Sequence, residues 1–302
     1  MFSKSSTSFH PSRSDLPSQQ NFSKSPSVFS LSTLSTLVAS SLLSLCISTA
    51  ALPVYAENDS EDINNAIFRY KAALEQNPNN PKNRLKLAKA YLMAGELDKA
   101  IDEFKHSLKL NPDDPECYMG LSRSYARKGD VKLACDNIHE AVRLAPSESQ
   151  YHLKYAQLLS RDGKLDQAVV EFKQAVKLND NDANAHRDYG AALGLKGDFG
   201  GQILEEKKAL SIAPDNADAH FYLGSAFAAQ GKKKEAQASL TRCVELDKKN
   251  ADAFRLLAGI MASNGQFKEA IDYAQAAVSL NPDNKAYAGT LEKIKMAAAR
   301  TK

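Results

Sequence analysis

Proline recurs in this chain at a spacing of 34 residues. Pro78, Pro112, Pro146, Pro214 and Pro282 fall on one ladder, and Asp180 and Lys248 occupy its other two rungs. A glycine ladder of the same period runs Gly95, Gly129, Gly163, Gly197, Gly231, Gly265 with no exception and no insertion. Self-similarity at a fixed short period dictates a stack of like supersecondary units, each burying its apolar face against its neighbours. The usual inference from 302 residues, about two globular domains, therefore does not apply. Such a stack grows in one dimension and offers an extended surface for binding.

Each unit reads as two helices. In residues 81–114, Asn80 followed by Pro81 is a helix start, because a side-chain cap precedes the one helical position where proline fits. The equivalent cap positions hold Asp114, Glu148, Asp182, Asn216, Asn250 and Asn284. The ladder glycine ends the first helix, where a left-handed residue is wanted. A second helix then runs to about Leu110 and breaks at Asn111-Pro112. The eighth residue of successive units is always small: Ala88, Ser122, Ala156, Gly190, Gly224, Ala258. The twentieth is Ala100, Ala134, Ala168, Gln202, Ala236, Ala270, and the twenty-seventh is Ser107, Ala141, Ala175, Ala209, Cys243, Ala277. Small residues at these places let paired helices approach closely. Leu87, Tyr91 and Phe104 fill the seam of the first unit, and Leu121, Tyr125 and Ile138 that of the second.

These spacings and identities resemble the tetratricopeptide repeat. Its signature is a large fourth residue, Leu-Gly or Leu-Ala at seven and eight, Tyr at eleven, Ala at twenty, Phe at twenty-four and Pro at thirty-two. The match covers six full units, 81–114, 115–148, 149–182, 183–216, 217–250 and 251–284. Residues 57–80 resemble a preceding half unit, with Ala66, Tyr70, Ala73 and Pro78 in register. Residues 285–302 fit a capping helix, with Tyr287, Leu291, Ile294 and Ala298 on one face. The resemblance implies an all-α, right-handed helical-repeat solenoid that binds or scaffolds other proteins.

The first 56 residues differ in character. Residues 1–30 are Ser-rich and carry Lys4, Arg13 and Lys24 against Asp15, and no further charge follows until Glu57. Leu34, Leu37, Val38, Leu42, Leu43 and Leu45 then lead to Val54-Tyr55-Ala56. Basic leader, apolar stretch and small-residue end predict a secretory signal cut after Ala56, hence an exported protein, periplasmic or secreted. An uncleaved membrane anchor over residues 31–55 and a two-part plastid transit peptide leading to the lumen are the alternatives. Loss of residues 1–56 removes three bases and one acid from 39 and 36, leaving a nearly neutral 36 against 35. No global field then draws the protein toward nucleic acid, and a membrane enters only if the leader stays uncleaved. Cys117, Cys135 and Cys243 remain, an odd number on mismatched positions, so no disulfide is expected.

In the family, the second, fifth, ninth, twelfth and thirteenth places of each first helix face a concave groove. Carried over, the resemblance assigns the early groove Lys82, Leu85, Lys89, Met93, Met119, Arg123, Arg127, Leu153 and Arg161. The later groove takes Arg187, Phe221 and Arg255 among Ala191, Gly194, Ser225, Ala228, Gly259 and Ala262, and so reads as small-lined and roomy. The early half is basic and apolar, which suits a peptide or helix carrying acidic residues. The clamp for chaperone tails known in some members is missing: Leu85 with Lys89, then Met119 with Arg123, stand where Lys and Asn are needed.

Other constellations read as structural. His152, His186 and His220 each take the fourth place of their unit, about one helix-pair spacing of ~10 Å apart, too far to share a metal. Gly200-Gly201-Gln202 spells the tripeptide of peptide-release factors but falls inside a helix. There Gln202 and Glu206 replace the expected Ala and Phe, with Gly190 expected to make room for Gln202. No nucleophile, base and orienting group can be placed together, so nothing points to an enzyme, a cofactor or a metal. The expected function is protein or peptide binding in envelope or secretion-linked assembly. Self-association as a homo-oligomer, or service as an auxiliary subunit of a separate enzyme, are the alternatives.

Overall fold

The computed structural model describes residues 57–301. The expected signal and its cleavage point after Ala56 lie outside the described residues. Among them are fourteen helices and no strand. Helix α1 (Glu57–Gln76) precedes six pairs: α2 (Pro81–Ala94) with α3 (Leu97–Leu110), α4 (Pro115–Lys128) with α5 (Val131–Leu144), and α6 (Ser149–Arg161) with α7 (Leu165–Leu178). Next come α8 (Ala183–Leu195) with α9 (Phe199–Ile212), α10 (Ala217–Ala229) with α11 (Lys233–Leu246), and α12 (Ala251–Ser263) with α13 (Phe267–Leu280). Helix α14 (Lys285–Arg300) closes the array. Among the described residues no helix is long and apolar enough to cross a membrane.

Local chemistry sets the helix ends. Asn80, Asp114, Asp182, Asn216, Asn250 and Asn284 each accept a hydrogen bond from a backbone N–H in the first turn of the helix they precede. Glu148 does not, because its carboxylate stands one methylene too far from the backbone for this geometry. All six ladder glycines have positive φ, between 73° and 90°, the left-handed region that L side chains avoid. They reverse the chain so that the second helix folds back on the first.

The three small-residue ladders are buried throughout, and the twenty-fourth place fills the space between them with Phe104, Ile138, Phe172 and Leu240. A further device ties consecutive units together. At the fourth place, His152 Nε2 meets the Pro146 carbonyl at 2.9 Å and its Nδ1 meets Glu171 at 2.7 Å. His186 repeats this with the Asp180 carbonyl at 3.0 Å and Glu205 at 2.6 Å. Arg84 does the same in the first unit, donating to the Pro78 carbonyl and to Glu103. His220 reaches only the Pro214 carbonyl, at 2.9 Å. The recurring histidines are latches to the preceding turn.

The fourth unit corrects one expectation. Gly190 does not make room for Gln202: a Cβ there would lie 2.6 Å from Glu206 Oε1. Gly194 holds the space for Gln202, whose Oε1 would lie 2.3 Å from an added Cβ. At the N-terminus of α9, Asp198 accepts from the Gly201 N–H at 2.8 Å, and a Cβ on Gly201 would strike that same carboxylate. The buried cysteines are free thiols, and burial pushes those of Cys117 and Cys243 up to about 12.

Curvature follows from which helices touch. First helices of most neighbouring units contact each other, whereas second helices make no comparable contact. The array therefore bends toward its first helices, which line the inner side. Contact between them is most extensive for α8 with α10 and for α12 with α14, and it is least for α4 with α6.

Candidate groove on the inner face

The spacing of the first helices decides which inner residues a ligand can reach. In the later units, Ala191, Gly194, Ser225, Ala228, Gly259 and Ala262 are themselves buried. The space at Gly194 is filled by Gln202 of its own unit, whereas a Cβ on Gly259 would meet nothing within 4 Å. Phe221, 1% exposed, is packed edge-on against Tyr222, and Arg255, 4% exposed, pairs with Asp252 and lies over the Tyr287 ring. The small residues expected to line a roomy later groove are thus buried, and neither Phe221 nor Arg255 lines an accessible surface. Arg187 marks the boundary: it bonds Asp188 at 2.8 Å and reaches Asp218 at 3.5 Å.

The early units remain open. Lys82, Leu85 and Lys89 line a depression of about 350 Å³ between α2 and α4. Its far wall is acidic, with Asp114 and Glu116, and Lys89 is bound to Glu116 at 2.5 Å. Met93 is half exposed, and Met119 and Leu153 are partly exposed, so an apolar strip runs along this side. Arg127 turns away to the end of α2, where it donates to the Leu92 carbonyl at 2.5 Å. Of the bases assigned to this strip from sequence, Lys82 on α2 is exposed with neither ion-pair nor hydrogen-bond partner among the described residues, and the same holds for the two guanidiniums of Arg123 and Arg161. They stand on α4 and α6, the two first helices that touch least.

Lys154 joins them, and the sequence reading missed it. It holds the sixth place of the third unit, a row that carries exposed Lys86, half-buried Asp188, and buried Gly120, Tyr222 and Leu256 elsewhere. The row packs toward the second helix of the preceding unit, as Gly120 does against the Phe104 ring. Lys154 is half-buried, and its amine is held below the usual lysine range by burial, then by Arg123 and Arg161, with Asp188 acting in the opposite direction. Among the described residues no group of three or more His, Cys, Asp or Glu converges to hold a metal.

Comparison with known proteins agrees with this architecture. One tetratricopeptide repeat profile matches residues 58–124 and 227–294, and a second matches 119–183, 153–217 and 202–238. No curated protein matches the chain. Among solved structures, pilF of Pseudomonas aeruginosa is similar at a TM-score of 0.62 and 13% identity, over 72% of this chain and 96% of that one. The C-terminal part of a TPR repeat-containing protein from Cytophaga hutchinsonii gives 0.61 and 17%, over 78% and 98%. YrrB, described as a TPR protein with an unusual peptide-binding site, gives 0.56 and 21%, over 61% and 95%. At these identities the likeness is one of fold. With matches running from residue 58 to residue 294 and six capped helix pairs in unbroken register, the chain belongs to the tetratricopeptide repeat family.

Proposed function

We propose that this protein is an exported scaffold that captures an acidic protein segment on the inner face of its first three units. The observation that carries the reading is the pair of uncompensated guanidiniums, Arg123 and Arg161, on the helices that also carry Met119 and Leu153 and that touch least among neighbouring first helices. Apolar side chains supply contact area and the unpaired cations select for acid. A nearly neutral chain could not supply that selection through its overall charge. Export rests on the leader, with its basic start, apolar stretch and Ala56 end, and places the partner in the envelope or secretion machinery.

The test reverses charge at exposed positions. The double variant Arg123→Glu, Arg161→Glu should keep full helical content and lose most capture of an acidic test peptide. Raising salt should weaken capture by the wild-type protein in the same direction, since screening acts over about 8 Å at physiological ionic strength. Capture unchanged by both the reversal and the salt removes charge selection and leaves Leu85, Met119 and Leu153 as the recognition surface.

A further inference from the structure

The second place of a first helix carries an acid in three units, and in each a base holds it. Asp218 is reached by Arg187 at 3.5 Å, Asp252 is paired with Arg255 at 3.2 Å, and Glu116 is bound to Lys89 at 2.5 Å. These pairs differ in how far they are closed. The side chains of Arg255 and Asp252 are 4% and 15% exposed, so no ligand comes between them. Arg187 is held by Asp188 at 2.8 Å as well as by Asp218. Those of Lys89 and Glu116 are 48% and 56% exposed, and both stand on the wall of the depression between α2 and α4. An ion pair so exposed contributes little, because water and salt screen it and two long side chains must be held in one geometry. It is therefore open to exchange. The next unit lacks the acid: Gln150 takes the second place there, and Arg123, which repeats the place of Lys89, has no ion-pair or hydrogen-bond partner among the described residues.

We propose that Glu116 is a built-in competitor for the ligand: it occupies Lys89 in the free protein and yields it to a carboxylate of the incoming acidic segment. This rests on the groove reading above and adds to it a subsite in the first unit. Lys82 lines the same depression without an ion-pair or hydrogen-bond partner among the described residues. It precedes Lys89 by two helical turns, about 10 Å along the axis of α2. Acids three residues apart in an extended segment span the same length, at ~3.3 Å per residue. Leu85, on the same wall, gives that segment an apolar contact. Asp114 also lines the depression, but its carboxylate accepts from the backbone N–H groups of Glu116 and Cys117. Glu116 is exposed, so its release strands no buried charge.

The experiment measures binding of a short peptide carrying two glutamates three places apart to the purified protein, with the glutamine peptide as control. Glu116→Gln should tighten the glutamate peptide by about two- to fivefold, the range an exposed ion pair supports, and leave the control unchanged. Asp114→Asn is the comparison. It takes one charge from the same depression, keeps a capping residue before α4 and leaves the Lys89–Glu116 pair in place. Its gain should be clearly smaller. Adding Lys89→Met to Glu116→Gln should abolish the gain. Equal gains from Glu116→Gln and Asp114→Asn would mean plain repulsion and overturn the exchange, as would a gain that survives the loss of Lys89. If Glu116→Gln gives no gain while Arg123→Glu, Arg161→Glu still abolishes capture, the exchange falls and the acidic-segment groove stands. If that double reversal changes nothing either, or if neither the wild-type protein nor Glu116→Gln prefers the glutamate peptide to its control, both fall.

Discussion

Glu206 occupies the place that Phe104, Ile138, Phe172 and Leu240 fill elsewhere, and it is fully buried. Neither carboxylate oxygen has a hydrogen-bond partner. Burial pushes its carboxyl well above the ordinary range; Arg187 opposes this, while Asp188, Asp218 and Glu205 add to it. The folded chain thus holds a proton that the unfolded chain releases near the usual value of about 4.3. Stability from this site is therefore greatest below that value and falls as pH rises toward the folded one. Glu206→Met should raise stability at about pH 8 by roughly 1–3 kcal/mol, the cost of an unsatisfied buried polar group. It should also flatten the difference between about pH 5 and about pH 8 in urea unfolding. An unchanged midpoint and an unchanged pH dependence would show that Glu206 is solvated or paired in solution.

At the scale of the helix, capping and latching do the positioning. The His186 latch joins α8 to the turn before it and to Glu205 of α9, and Glu205 also holds Lys208 at 2.9 Å. His186→Leu should leave the Asp180 carbonyl and the buried Glu205 short of a partner and cost about 1–3 kcal/mol. His220→Leu, which loses only the Pro214 carbonyl, should cost less in the same thermal melts. Equal losses would mean that the carboxylate contributes nothing to the latch. The caps and positive-φ glycines were legible in the sequence because each depends on a few consecutive residues. Glu148 was the cap that failed, for want of side-chain reach. The burial of Phe221 and Arg255 was not legible, because only the neighbouring units decide how far a first-helix side chain is enclosed. Lys154 escaped because its row runs from exposed Lys86 to buried Leu256, so its place alone does not fix its surroundings.

Across the whole molecule, first-helix contact varies from unit to unit, greatest for α8 with α10 and α12 with α14 and least for α4 with α6. Residues 221–228 of α10 and 255–262 of α12 are buried without a break, as befits helices enclosed on every side. Helix α4 instead exposes Arg123, Arg127 and Lys128. In a stacked array, where stability is a sum of unit and neighbour contributions, this difference should appear as uneven opening. Amide hydrogen exchange in the free protein should therefore be slowest in α10 and α12 and clearly faster in α4 and α6. An acidic peptide bound in the groove should protect α4 and α6 and leave α10 and α12 almost unchanged. Were α10 and α12 to exchange as fast as α4, their buried faces would be open in solution, and the later groove would again be a candidate surface. Uneven protection would mean that the later units form a stiff base carrying an adaptable half. A side chain too small to touch a ligand, such as Ala228, would then act on binding by fixing where the groove ends.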